Sequence, residues 1–286
     1  MTRRCCLALL GMMEAVVRGQ QRVDPAANRD WVCPMDPDYR SENPGTCPKC
    51  GMKLVLGIPE RVEFDMQVTH SPALLKPGEL GTLDFHISDP RSGKAVRDFE
   101  KVHEKLIHLF VVSESLEFFA HIHPTLMPDR SFRQEVRLPE GGMYRLLADF
   151  YPAGSVPQLA LGTIYVNGSG LPQKLAAALG PSKAENLTAS LRMEPEEPIA
   201  GLETRLYFSL RPGDGMELYL GAWAHMLVAS ADLIDLMHLH PFLHNADGSV
   251  QFTLLFPRPG LYRIWTQFQR LGVVNTVVFT VPVMSL

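Results

Sequence analysis

Beyond residue 60 the chain breaks into short runs in which apolar and polar residues alternate, as in LGTLDFHI (80–87) and LETRLYFSL (202–210). A period of two puts every second side chain on one face, the pattern of a half-buried strand. Turn signals separate the runs: Lys76-Pro77-Gly78, Asp89-Pro90, Glu140-Gly141-Gly142, Ala246-Asp247-Gly248 and Arg258-Pro259-Gly260. Short strands at this spacing predict antiparallel Greek-key β-sandwiches of about seven strands each, an immunoglobulin-like or similar two-sheet fold. One stretch departs from the pattern. Pro172 to Ala178 is rich in helix formers and is closed by Gly180-Pro181, which predicts a short helix in a linker (169–186) that spaces two rigid sandwiches.

The strand pattern occurs twice. IHLFVVSESLEFFAHIHP (107–124) matches AHMLVASADLIDLMHLHP (224–241), and LPEGGMYRLLADF (138–150) matches FPRPGLYRIWTQF (256–268). The repeat length of 117–123 residues makes each copy a whole domain rather than a solenoid unit. The first sandwich is expected over 60–168 and the second over 187–286.

Within the repeat, His108, His121 and His123 fall on His225, His238 and His240 with identical spacing. His121 and His123 share a strand face, and so do His238 and His240. His108 lies thirteen residues before His121. A hairpin loop of two or four residues would set it opposite His121 or His123, with Cβ atoms about 4.5–5.5 Å apart. Three imidazoles would then converge on a point that a copper or zinc ion could occupy; a loop of three or five residues would turn His108 away. His103 could join the first triplet, whereas Leu220 stands at the matching position of the second. The alternative is that the triplets are fold residues that bond to backbone carbonyls and end a strand.

Upstream lies a segment of another kind, WVCPMDPDYRSENPGTCPKCGM (31–52). Cys33 stands alone, and Cys47 and Cys50 form a C-P-K-C-G-M knuckle. Thiolates bind soft and borderline metals, and a segment this short and polar needs a metal to fold. Three thiolates with the Asp36 carboxylate suit Zn²⁺; three thiolates alone, or with Met35 or Met52, suit Cu(I). The motif resembles the small heavy-metal-binding domain of bacterial copper and silver efflux proteins. That domain opens W/Y-x-C-P-M-H-P and closes P-G-x-C-P-x-C-G-M, with a final apolar tail. Trp31, Cys33, Pro34, Met35, Pro37, Pro44, Gly45, Cys47, Pro48, Cys50, Gly51, Met52 and Leu54 match it. Asp36 replaces the usual His. The resemblance implies a metal-binding domain over 30–56. Residues 60–285 resemble exported bacterial cupredoxin-like sandwiches with an H-x-H-P motif, often attached to such a module. With no cysteine after Cys50, a blue-copper ligand set is disfavoured.

Composition narrows the function. A net charge of −4 and the lack of a Lys/Arg cluster argue against nucleic acid. No apolar run reaches the length of a spanning helix. Arg3 and Arg4, the apolar stretch Cys5 to Met13 and Val17-Arg18-Gly19 outline a secretory signal over 1–19, followed by a linker over 20–29. Its removal would leave only the knuckle cysteines and an exported, periplasmic chain. The expectation is a non-enzymatic metal-binding protein for copper (Cu(I) or Cu(II)) or Zn²⁺. It would act as buffer, carrier or efflux accessory, with a membrane efflux transporter or its adaptor as partner. A metal-dependent enzyme using one His₃ site, and a structural or adhesive tandem sandwich with a vestigial knuckle, are the alternatives.

Overall fold

The computed structural model describes residues 31–36, 39–56, 63–90, 92–153, 155–170, 175–244 and 249–286. The signal and linker expected over 1–29, residues 57–62 and the whole Ala246-Asp247-Gly248 turn lie outside the described residues.

The N-terminal module is a three-stranded antiparallel sheet of Trp31–Val32, Arg40–Ser41 and Val55–Leu56. Cys33, Cys47 and Leu54 form its interior cluster, with Trp31, Tyr39 and Cys50 packed around them, and Val32 and Met52 are buried as well. Two of the three side chains in that cluster are thiols, so the apolar interior of this small module is slight.

Each repeat is a pair of antiparallel sheets enclosing an apolar core. In the first, Asp65–Ser71, Leu80–Ser88, Phe132–Arg137 and Thr125–Leu126 form one sheet. Gln158–Val166, Gly142–Pro152, Ile107–Ser113 and Phe119–Ile122 form the other. Leu83, Phe85, Leu109, Val111, Leu146 and Phe150 fill the space between them. The second repeat places Thr188–Glu194, Glu203–Arg211 and Val250–Leu255 opposite Gly260–Arg270, His225–Ser230, Leu236–Leu239 and Val273–Val283. Leu206, Phe208, Met226, Val228, Phe252 and Phe268 are among its core residues. The expected tandem sandwiches are therefore present.

Two expectations are corrected. The described part of the 172–178 stretch, from residue 175, is not helical. Ala178 instead exchanges both backbone hydrogen bonds with Thr280, at 2.9 and 3.0 Å. Seven residues are too few to nucleate a helix against a sheet edge that offers those bonds. Nor does the linker hold the sandwiches apart, because they pack directly face to face. Every residue of Ile107–Ser113 and of His225–Ser230 is buried. One side of each strand faces its own core. The other meets the neighbouring domain in a shared cluster that includes Phe110, Val112, Leu147, Leu227, Ala229 and Trp265. Trp265 of the second domain stacks on Phe119 of the first, with ring centroids 5.2 Å apart and planes 8° apart. A strand buried on both faces loses the polar–apolar alternation, which is why these two read as continuous apolar runs.

Candidate metal centre

The knuckle brings its three sulfurs together through its turn. Gly51 adopts φ +73°, which glycine tolerates best, and its N–H donates to the Cys47 carbonyl at 2.7 Å. The Cys47 N–H returns to Met52 O at 2.7 Å. Cys33 Sγ and Cys50 Sγ are 3.4 Å apart, and the Asp36 N–H donates to Cys33 Sγ at 3.2 Å. All three Sγ atoms lie within 4.8 Å of one another, as a shared metal ion requires, and all three cysteines are free thiols. Asp36 takes a different partner from the one a fourth ligand would have: its carboxylate is ion-paired with Lys49. Met35 is exposed, and Met52 packs against Val102 and Tyr151 of the first sandwich, docking the knuckle there. Burial raises the Cys33 and Cys50 thiols above their ordinary value. Burial acts the same way on Cys47, but the N–H groups of Cys50 and Lys49 and the neighbouring thiols outweigh it and lower that group.

The histidine triplets follow from the register. Leu109 pairs with Ile122 and Val112 with Phe119, and Ser113 N–H donates to Phe118 O at 3.1 Å. The loop therefore holds the four residues 114–117, the even length that turns His108 and the His121/His123 pair to one side. Met226↔Leu239 and Ala229↔Leu236 repeat this register in the second domain. His108 Nδ1 lies 2.9 Å from His121 Nε2 and 3.2 Å from His123 Nε2. Likewise His225 Nδ1 lies 3.4 Å from His238 Nε2 and 3.1 Å from His240 Nε2. Metal–nitrogen bonds of about 2.0–2.1 Å in a tetrahedron require nitrogens about 3.3 Å apart. In each triad the two edges from His108 or His225 run from 2.9 to 3.4 Å, and all three nitrogens lie within 4.8 Å of one another.

The outer ring nitrogens show that a cation suits the inner ones. His108 Nε2–H donates to Val102 O and His225 Nε2–H to Tyr219 O, both at 3.0 Å. The two carbonyls sit on equivalent tight turns whose next residues, His103 and Leu220, have φ of 48° and 51°. His121 Nδ1 lies 2.7 Å from Gln267 Oε1, and His238 Nδ1 lies 2.6 Å from Asp149 Oδ2. With their protons committed outward, His108 and His121 turn lone pairs toward each other at 2.9 Å, as His225 and His238 do at 3.4 Å. A shared cation satisfies such a pair, and the outer acceptors are the partners that metal-bound imidazoles ordinarily have.

The last two of those bonds cross between domains. Asp149 belongs to the first sandwich and orients a histidine of the second; Gln267 does the reverse. The triads are consequently neighbours. The His108 and His225 rings stack at 5.4 Å, and the centroids of His121 and His225 are 5.3 Å apart. His103 closes the group, its ring 3.8 Å from His240 and 5.4 Å from His225. Burial, reinforced by repulsion from His238, holds His103 down at about 4 and His108 at about 3. Burial with the charge of Lys105 holds His123 at about 4, and His225 and His240 are also depressed, chiefly by burial. Neutral imidazoles are the form that ligates metal.

A cavity of about 770 Å³ connects the knuckle with the histidines, bordered by Met35, Cys50, His103, His238 and His240 among others. All six triplet histidines converge as their spacing predicts, whereas His103, an expected addition to the first triplet, packs against the second. Neither Asp149 nor Gln267 stands out in the sequence as part of a metal site. Their signal lay in the repeat, since they hold equivalent positions in the matched segments 138–150 and 256–268.

Known families describe both parts of the chain. Residues 31–55 match the family model of the heavy metal binding domain. The model described as "Domain of unknown function (DUF8832)" matches twice, over 60–166 and 182–285. No curated protein matches. Among solved structures, the Escherichia coli adhesin FdeC is 14% identical, with 82% of this chain and 70% of that chain covered and a TM-score of 0.28. Red sea bream transglutaminase is 13% identical, with 78% and 32% covered and a TM-score of 0.24. The Yersinia pseudotuberculosis adhesin InvE is 10% identical, with 77% and 60% covered and a TM-score of 0.24. Likenesses at these scores carry no functional argument.

Proposed function

The chain belongs to the family described as "Domain of unknown function (DUF8832)", and we propose that it is a metal-handling protein for copper-type ions, a buffer or carrier rather than an enzyme. The observation that carries this reading is the cavity with Cys50 and Met35 on one wall and His103, His238 and His240 on another. Thiolates capture Cu(I), and imidazoles accommodate Cu(II) once dioxygen has taken up the electron, or Zn²⁺ with no redox change, so one chain offers successive homes to the same metal. His103 stands where an ion leaving the knuckle meets the second triad. The carboxylate at the triads, Asp149, is engaged in orienting His238, which suits ligand positioning better than proton transfer to a substrate. Export to the periplasm, and docking to an efflux transporter or its adaptor, are part of the proposal. They rest on the N-terminal pattern of the sequence and on the company such knuckles keep.

Metal content per chain tests the reading. The three donor clusters predict about three equivalents of ion after loading under reducing and then aerobic conditions. Cys33/Cys47/Cys50→Ser removes about one, and alanine at all six triplet histidines removes about two. A content that neither variant changes would refute it.

A further inference from the structure

The two triads are built alike, but the partners of their outer ring nitrogens differ. Their six ligands, their hairpin register and their carbonyl acceptors all correspond, yet Asp149 faces His238 where Gln267 faces His121. These two residues are cross-strand neighbours of equivalent histidines, Asp149 of His108 and Gln267 of His225. Each nevertheless reaches across to the other domain. Gln267 turns Oε1 to His121 while its amide N–H donates to Thr276 Oγ1 at 3.1 Å. Asp149 and His238 are both buried.

A carboxylate hydrogen-bonded to the outer nitrogen makes an imidazole a stronger donor to a cation, and it adds a negative charge that water screens little in a buried site. A neutral amide orients the ring without adding charge. The triads are also too close to be independent. With metal–nitrogen bonds of about 2.0–2.1 Å, ring centroids 5.3 Å apart keep the two ions within about 12 Å of each other. Repulsion between the ions then adds to the intrinsic difference between the sites.

We propose that the six triplet histidines form one two-ion centre, completed only when the sandwiches pack together, and that its halves are unequal. The His225/His238/His240 half, braced by Asp149, binds a divalent ion more tightly and fills first. The His108/His121/His123 half, braced by Gln267, fills second and releases its ion first. Asp149 and Gln267 are positioning residues that set this order. The proposal rests on the metal-handling reading and adds which site is the store and which the exchangeable one.

The test is a titration of the full chain, carrying Cys33/Cys47/Cys50→Ser, with Zn²⁺ against a competing chelator. Histidine-ring NMR, assigned with H123A and H240A, reports which triad is occupied. Two equivalents bind in separate steps, and the first shifts the resonances of His225, His238 and His240. Asp149→Asn, isosteric and still able to accept through its amide oxygen, weakens the first step about 10–100-fold. Gln267→Glu alone strengthens the second step. The double variant D149N/Q267E exchanges the charges and reverses the filling order, an outcome no purely structural role would give. Even filling of both triads by the first equivalent, or an order unchanged in the double variant, would overturn the proposal and leave metal handling intact. A zinc content indifferent to the six histidines would overturn the underlying reading and the proposal with it.

Discussion

The carboxylate of Asp149, on the first sandwich, lies 2.6 Å from Nδ1 of His238, on the second. The bond joins a site to the domain interface, so metal affinity and domain packing become one property. Asp149→Ala leaves a buried imidazole N–H without its acceptor, which costs about 1–3 kcal/mol of stability in the metal-free chain. Urea unfolding of metal-free wild type and variant measures it. An unchanged midpoint would mean that His238 finds another partner.

The depressed histidines make metal-free stability fall in mild acid. Unfolded, each ring takes up a proton near pH 6.5; folded, His103 and His123 do so near 4 and His108 near 3. Between those values the unfolded chain binds more protons. Their contribution to stability is thus full above about pH 6.5 and is lost as the pH drops toward 3–4, by up to about 1.4 kcal/mol per ring per pH unit. Denaturation midpoints at pH 7.5, 6 and 5 should decline in that order, and less steeply in a variant lacking the triplet histidines.

Metal removal should act locally. The knuckle buries few side chains, chiefly Val32, Cys33, Cys47, Met52 and Leu54, so a chelator should release residues 31–56 to fast amide exchange. The sandwiches hold their own apolar cores and should remain protected. Equal protection of the knuckle with and without metal would show that its docking through Met52 onto Val102 and Tyr151 suffices to fold it.

His103 should matter for the movement of metal more than for its storage. Its ring sits 3.8 Å from His240 and borders the cavity shared with Cys50. His103→Ala should keep the metal content while slowing, by about tenfold or more, the transfer of copper in air from the Cu(I)-loaded knuckle to the triads, with dioxygen as the electron acceptor, followed by loss of the thiolate–copper absorbance. Such a slowing corresponds to about 1.4 kcal/mol on the barrier. Equal rates in variant and wild type would remove His103 from the route.

Much of this was legible in the chain. The thirteen-residue separation of His108 from His121 brings the triplets together only if the hairpin loop is even, which the register supplies with four residues, while the C-P-K-C-G-M spacing alone points to the knuckle. The domain packing was not legible. Phe110, Val112, Leu227 and Trp265 read as ordinary strand residues, because burial against a neighbouring domain leaves the same apolar signature as burial in a core. Without that packing, Asp149 is only a spare carboxylate and Gln267 only a polar residue late in a strand. The linker failed for a related reason, since the hydrogen bonds that Thr280 offers Ala178 outweigh local helix propensity.

The central claim is that two ions share one buried centre between the domains. Electron paramagnetic resonance of the Cys33/Cys47/Cys50→Ser chain, loaded with two equivalents of Cu(II), tests it most directly. Ions within about 12 Å predict a dipolar-broadened spectrum that sharpens to an isolated Cu(II) signal when alanine replaces either triad. A spectrum of two non-interacting ions, or uptake of fewer than two, would contradict the shared centre.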